Sequence, residues 1–196
     1  MGHAWQTHPP FGGHRFLDFV NTVDDERKTR ARNALPDWPT VLAWNRCAGV
    51  IDDDERAALE ATPPGERAAA WHALIAFREA AYAVLSAVAA EAPPPEPARA
   101  NLEAAAAADL ARATLAATAD GLRWTAPAEA LGAEVVRVRL ALAFLDLVGC
   151  RDLARLRECG RCTGLYLDHG RGAGRRWCRM STCGNRAKVE RHRRKR

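Results

Sequence analysis

Four of the six cysteines form two close pairs, Cys159-x2-Cys162 and Cys178-x4-Cys183, separated by fifteen residues. No other feature restricts the fold so tightly. Two thiol pairs at this spacing meet across one loop, and four thiolates saturate a tetrahedral zinc ion without leaving a position for water or substrate. A metal held this way is a folding staple, not a catalyst. A segment of about 30 residues buries too little apolar surface to fold unaided, so one Zn2+ is expected to supply most of its folding free energy, on the order of 10 kcal/mol. A disulfide framework would need an oxidising compartment. The opening Met1-Gly2-His3-Ala4-Trp5 has neither a charged n-region nor an apolar h-region, so reduced thiols and a cytoplasmic location are expected. A redox role for Cys159-x-x-Cys162 would need a βαβ context, which the pattern lacks.

Between the pairs, Leu165-Tyr166-Leu167 is a short β-prone run, Gly170 to Gly174 a turn, and Arg175-Arg176-Trp177 its return. A helix is expected after Cys183, running through Ala187-Lys188-Val189-Glu190 to the end of the chain. Knuckle, hairpin and helix together make a treble-clef-like unit. Trp177 is expected to pack over the metal; His169 offers a substitute ligand, but with four sulfurs already filling the tetrahedron it is expected to face solvent.

The residues carry a resemblance. Arg175-Arg176-Trp177-Cys178-x-Met180-x-x-Cys183-Gly184-Asn185-Arg186-Ala187-Lys188, preceded by Leu165-Tyr166-Leu167-Asp168, resembles the CGNR-type zinc finger that ends a family of stress-induced bacterial transcription regulators. In those proteins a larger, mainly helical ABATE domain precedes the finger. Its opening motif is similar to Phe16-Leu17-Asp18-Phe19-Val20-Asn21-Thr22-Val23, and Leu42-Ala43-Trp44 also suits it. The chain departs from the pattern in a tighter first knuckle, in Thr163-Gly164 where a tryptophan often follows, and in His169-Gly170 after Asp168. The expected fold is mainly α: a helical part over residues 1–150 with a few short strands, then a finger of β-hairpin and helix over 151–196.

Charge divides the same way. Residues 151–196 hold 15 Lys and Arg against 4 Asp and Glu, a net of +11, whereas residues 1–150 carry 14 against 20, a net of −6. From Arg171 onward eleven basic residues face only Glu190. Such a run attracts polyanions by releasing condensed counterions. Arginine outnumbers lysine 26 to 3, which a GC-rich coding bias would also produce.

Along the helical part, His3, His8 and His14 lie in an irregular lead-in without ligand spacing. Phe16, Phe19, Val20 and Val23 follow a helical period, and Asp24 to Arg32 reads as a charged, mobile connector. Helices are expected over Thr40–Ala48, over Asp53–Ala61 with Asp52 and Glu55 as its cap, and over Glu66–Glu91 as the central core helix. Two more are expected: alanine-rich Ala98–Ala119 and Ala128–Val148, with a strand fragment at Leu122–Thr125 between them. Trp38, Trp44, Trp71 and Trp124 are assigned to the core, and Cys47 and Cys150 to buried apolar positions. No apolar run approaches the ~20 residues of a membrane span.

Function follows from these parts. The leading expectation is a zinc-containing DNA-binding transcription regulator: Arg186, Lys188, Arg191, Arg193 and Arg194 reach phosphates or base edges from the last helix, and Arg175 and Arg176 grip the backbone. Asn185 caps that helix or reads adenine. The helical part dimerises or senses a small-molecule effector, with Asp18 and Asn21 either lining its pocket or satisfying backbone groups. RNA binding and a zinc-stapled protein-interaction module are the alternatives. No phosphate loop, G-x-S-x-G or H-E-x-x-H occurs, so an enzyme is not expected.

Overall fold

The computed structural model describes residues 5, 9–23, 28–119, 121–170 and 174–194, and there the chain is mainly helical. Helices α1 (Arg15–Val20), α2 (Trp38–Cys47), α3 (Asp53–Glu60), α4 (Pro64–Ala89) and α5 (Glu96–Leu110) come first. An antiparallel arm of β1 (Thr114–Thr118) and β2 (Gly121–Thr125) leads into α6 (Ala128–Leu131), a 3-10 turn and α7 (Val135–Gly149). The last part comprises β3 (Leu156–Glu158), β4 (Leu165–Leu167), a π-helical turn (Met180–Gly184) and α8 (Asn185–Arg193). The expectations for His3, His8, Asp24 to Arg27, the turn at 171–173, and Lys195 and Arg196 lie outside the described residues.

Helix α4 is the axis. Pro64 supplies a preset φ in its first turn, and Leu74, Phe77, Ala81 and Leu85 bury one face at three- and four-residue spacing. That face packs on α1, α2, α5, β3 and β4. Phe16 fills the centre, with its ring 5.7 Å from Phe77 and 5.0 Å from Phe144. Each such side chain contributes about 1.5–3 kcal/mol by leaving water. By length and composition α4, with 26 residues and a mean hydropathy of 1.3 over an 18-residue window, is apolar enough to cross a bilayer. This corrects the expectation that no run is long enough; alanines raise the hydropathy while Arg78 and Glu79 sit mid-helix.

The caps follow sequence rules. Asp37 accepts from the Thr40 amide to start α2, and Asp52 and Glu55 form a complete capping box on α3.

Several expectations are corrected. The alanine-rich segment is helical only to Leu110. Thr114 and Thr118 favour extended backbone, and Gly121, with φ 117, lets β1 pair with β2. Leu115 and Trp124 face each other across this arm, each 54% exposed, and so lie outside the core. In α7 Val135, Val136, Val138, Leu140 and Leu147 are buried, whereas Leu145 is exposed. Cys47 ends α2 in an exposed position and Cys150 is half-buried.

Residues 28–32 of the connector are anchored rather than loose. Arg30 adopts φ 53, a conformation that costs about 1–3 kcal/mol for a non-glycine residue. Its guanidinium offsets that cost by clasping Glu79, donating to the Val20 carbonyl and lying 3.9 Å above the Tyr82 ring. Beside it Arg78, only 2% exposed, donates to the Thr22 carbonyl, the Thr22 hydroxyl and Asn33 Oδ1, and pairs with Glu79.

Candidate metal centre and basic surface

The hairpin at the metal site uses a different partner from the one expected. β4 pairs antiparallel with β3, Leu156 opposite Leu167 and Glu158 opposite Leu165, so the Cys159–Gly164 knuckle forms its turn. Residues 174–177 form no strand; the Arg176 carbonyl accepts one bond from the Gly160 amide. Leucines decide the pairing. Leu156, Leu165 and Leu167 join the main core, whereas Arg175 and Arg176 have nothing apolar to offer it.

The knuckle, the residues before α8 and the π-helical turn bring the four sulfurs together. All four ligand atoms lie within 4.8 Å of one another, at 3.6 Å for Cys162–Cys178, 3.6 Å for Cys178–Cys183 and 3.7 Å for Cys183–Cys162. A tetrahedron with Zn–S bonds of about 2.3 Å has edges of about 3.8 Å, so the donor set fits zinc in number, element and spacing. The Gly164 amide donates to Cys162 Sγ at 3.4 Å and supports it as a thiolate.

Without a cation the four thiols do not ionise together. The Cys162 hydrogen bond leads in pulling the Cys159 thiol far below its ordinary value, and the same bond leads in pushing Cys162 above it. Four thiolates so close repel one another unless a dication neutralises them. The site accommodates one structural zinc ion held by Cys159, Cys162, Cys178 and Cys183.

Packing around the sulfurs is local. Buried Tyr166 and half-buried Phe11 and Trp177 surround them, so Trp177 packs where the sequence put it. A Cβ at Gly184 would lie 2.7 Å from Met180 Sδ, the end of an exposed side chain that would have to move, and 3.3 Å from Trp177. Gly164 similarly admits the Phe11 ring, 2.9 Å from where a Cβ would be. His169 is exposed, as expected.

Helix α8 continues from the π-helical turn and buries none of its side chains. Asn185, Arg186, Lys188, Arg191, Arg193 and Arg194 are all exposed. Asn185 is not a cap: the chain is already helical before it, and its amide donates to the Ser181 carbonyl at 3.3 Å. Arg161 engages Glu190, the lone acid of this helix. Arg175 stacks 3.9 Å from the Tyr166 ring centre and Arg176 4.8 Å from that of Trp177, both exposed beside the metal centre.

Asp18 and Asn21 both line a cavity between the helical part and the metal centre, with Asp18 Oδ1 and both polar atoms of Asn21 used on backbone. Asp18 accepts from the Phe11 and Gly12 amides. Asn21 reaches a residue 144 positions away, accepting from the Leu165 amide and donating to the Leu165 carbonyl, both at 2.8 Å. Sequence reasoning missed this fastening, since only the short amide side chain hinted at backbone pairing. Asn21→Ala strands both Leu165 groups in a half-buried position, and urea unfolding of the zinc-loaded protein is expected to show a loss of about 1–3 kcal/mol. Asn21→Asp does not rescue it, because a carboxylate would face the Leu165 carbonyl.

Two family models match the chain. Residues 155–196 match the CGNR zinc finger, and residues 13–150 match ABATE, described as a putative stress-induced transcription regulator. Neither is an enzyme family. No curated protein matches the chain. With the larger match spanning residues 13–150 and the four-sulfur centre inside the smaller one, the chain belongs to the ABATE family and carries a C-terminal CGNR zinc finger.

Proposed function

We propose that the protein is a zinc-dependent, DNA-binding transcription regulator working in the reducing cytoplasm, with residues 151–196 as its nucleic-acid-binding unit. Helix α8 carries this reading: an exposed helix rooted at Cys183, with Arg186, Lys188, Arg191, Arg193 and Arg194 in solvent and its one acid occupied by Arg161. A helix that buries no side chain depends on its root and on the Arg161–Glu190 pair, and a metal at the root would set the direction in which it projects. Arg175 and Arg176, stacked on Tyr166 and Trp177, add cations beside that root. Residues 1–150 act as the effector-sensing or dimerising part. A zinc ion saturated by four sulfurs supports a structural role and no catalysis.

Fluorescence anisotropy with duplex DNA at a series of salt concentrations tests the reading. Arg191→Gln, Arg193→Gln and Arg194→Gln combined are expected to weaken binding and to reduce the salt-dependence slope by up to about 0.9 for each phosphate that is no longer neutralised. Affinity and slope both unchanged in the triple variant would refute it. Tighter binding to structured RNA than to duplex DNA would instead favour an RNA partner.

A further inference from the structure

The cavity between the helical part and the finger has a volume of about 730 Å3, within the range of roughly 300–1,000 Å3 typical of small-molecule sites. Trp5, Phe11 and Trp44 give it aromatic surface. Of the two residues the sequence nominated for ligand contact, Asn21 is committed to Leu165 through both polar atoms and Asp18 to two backbone amides through Oδ1, and a carboxylate does not attract an anion. Recognition therefore falls to the guanidinium groups.

Among the described residues four arginines line the cavity: Arg15 and Arg32 from the helical part, Arg179 and Arg186 from the finger. Zinc with four thiolates has a formal charge of −2, and Arg179 and Arg186 offset it, because Cys162, Cys178 and Cys183 line the same space. Asp18 contributes one further negative charge at most. Arg15 and Arg32 are exposed, and neither forms an ion pair among the described residues. Among its described lining residues the cavity thus keeps a cationic surplus beside aromatic walls.

We propose that this cavity binds a small organic anion with an aromatic or apolar body, its acid group paired with the guanidiniums of Arg15 and Arg32. Arginine suits a carboxylate, sulfonate or phosphate because its planar donors match two acceptor oxygens at once. Thr182 and Arg186 at the root of α8 belong to the same lining, so a bound anion touches the helical part and the base of the basic helix together. Its occupancy then favours whichever arrangement of α8 makes those contacts. This regulatory consequence rests on the DNA-binding reading; the binding site does not.

The test uses zinc-loaded full-length protein and two fluorescent probes of similar shape: 8-anilinonaphthalene-1-sulfonate, which is anionic, and N-phenyl-1-naphthylamine, which is neutral. The sulfonate should bind at one site, with an affinity that falls as salt rises, while the neutral probe shows no such fall. In Arg15→Gln/Arg32→Gln the sulfonate should weaken about tenfold, as expected for losing charge-assisted hydrogen bonds, with the neutral probe little changed. Trp124→Ser, on the exposed arm, should alter neither. Equal binding of the two probes, salt-independent sulfonate binding, or loss of the sulfonate in Trp124→Ser would overturn the proposal, and the salt series decides even if the double variant fails to fold. Duplex DNA binding is measured on the same samples. Its absence with sulfonate binding intact removes the DNA-binding reading and leaves the anion site standing.

Discussion

Chelation of zinc is expected to abolish amide-exchange protection from Cys178 through Arg193 while leaving Leu156–Glu158 and Leu165–Leu167 protected. The first half follows from what holds α8. It buries no side chain, and a helix of nine residues is marginal in water without tertiary support. Its root is a cluster of four cysteines with Tyr166, Phe11 and Trp177, and zinc binding contributes on the order of 10–16 kcal/mol to folding such sites. The second half follows from the strands. Leu156, Leu165 and Leu167 lie in the main core, Asn21 holds Leu165 from both sides, and the Leu167 amide donates to the Gly12 carbonyl at 2.9 Å. Metal dependence therefore begins near Asp168 and not at residue 151. Hydrogen exchange read by mass spectrometry locates that border. Persistent protection across 178–193 after complete metal removal would contradict the account of α8, and loss from both strands would contradict the account of the core.

Arg78→Met is expected to be the most damaging substitution in the helical part, at about 3–5 kcal/mol, the usual cost of removing one member of a buried charged network. Methionine matches the volume but removes a charged donor from the Thr22 carbonyl, the Thr22 hydroxyl and Asn33 Oδ1 at once, leaving them the Ala34 amide, the Phe19 carbonyl and the Leu35 amide as their partners. It also leaves Glu79 with Arg30 alone among its two arginine partners. For a chain of this size each kcal/mol lowers Tm by roughly 2–4 °C, so a drop of roughly 6–20 °C should appear in a thermal melt. A melt within 2 °C of the parent would show that ordered water or a shifted Arg30 takes over those acceptors.

Elements dominated by local pattern were legible in the sequence. The apolar period of α4, the Asp52–Glu55 box and the two cysteine pairs need only neighbouring residues to be understood. Features set by distant partners were not. Asn21 carries no mark of its attachment to Leu165, and Leu156-Arg157-Glu158 is too short to announce itself as the strand β4 would choose. Propensity misled at Ala111–Ala119: alanine favours a helix in isolation, yet the threonines and the Gly121 turn draw the end of that stretch into β1. The charged connector looked loose because the core acceptors for Arg30 and Arg78 lie elsewhere in the chain. At the metal centre the ligands were readable from spacing, whereas the strand pairing around them depended on which leucines the core could accept.

The β1–β2 arm has a practical corollary. Leu115, Leu122 and Trp124 are exposed on it, and Thr114 faces Thr125 at its base, so the two chain ends entering it stand one strand spacing apart. Cutting the arm back to a tight Asn-Gly reversal would keep that gap bridged, take greasy surface off the molecule and improve solubility at high concentration. The same place offers an insertion point for a reporter peptide.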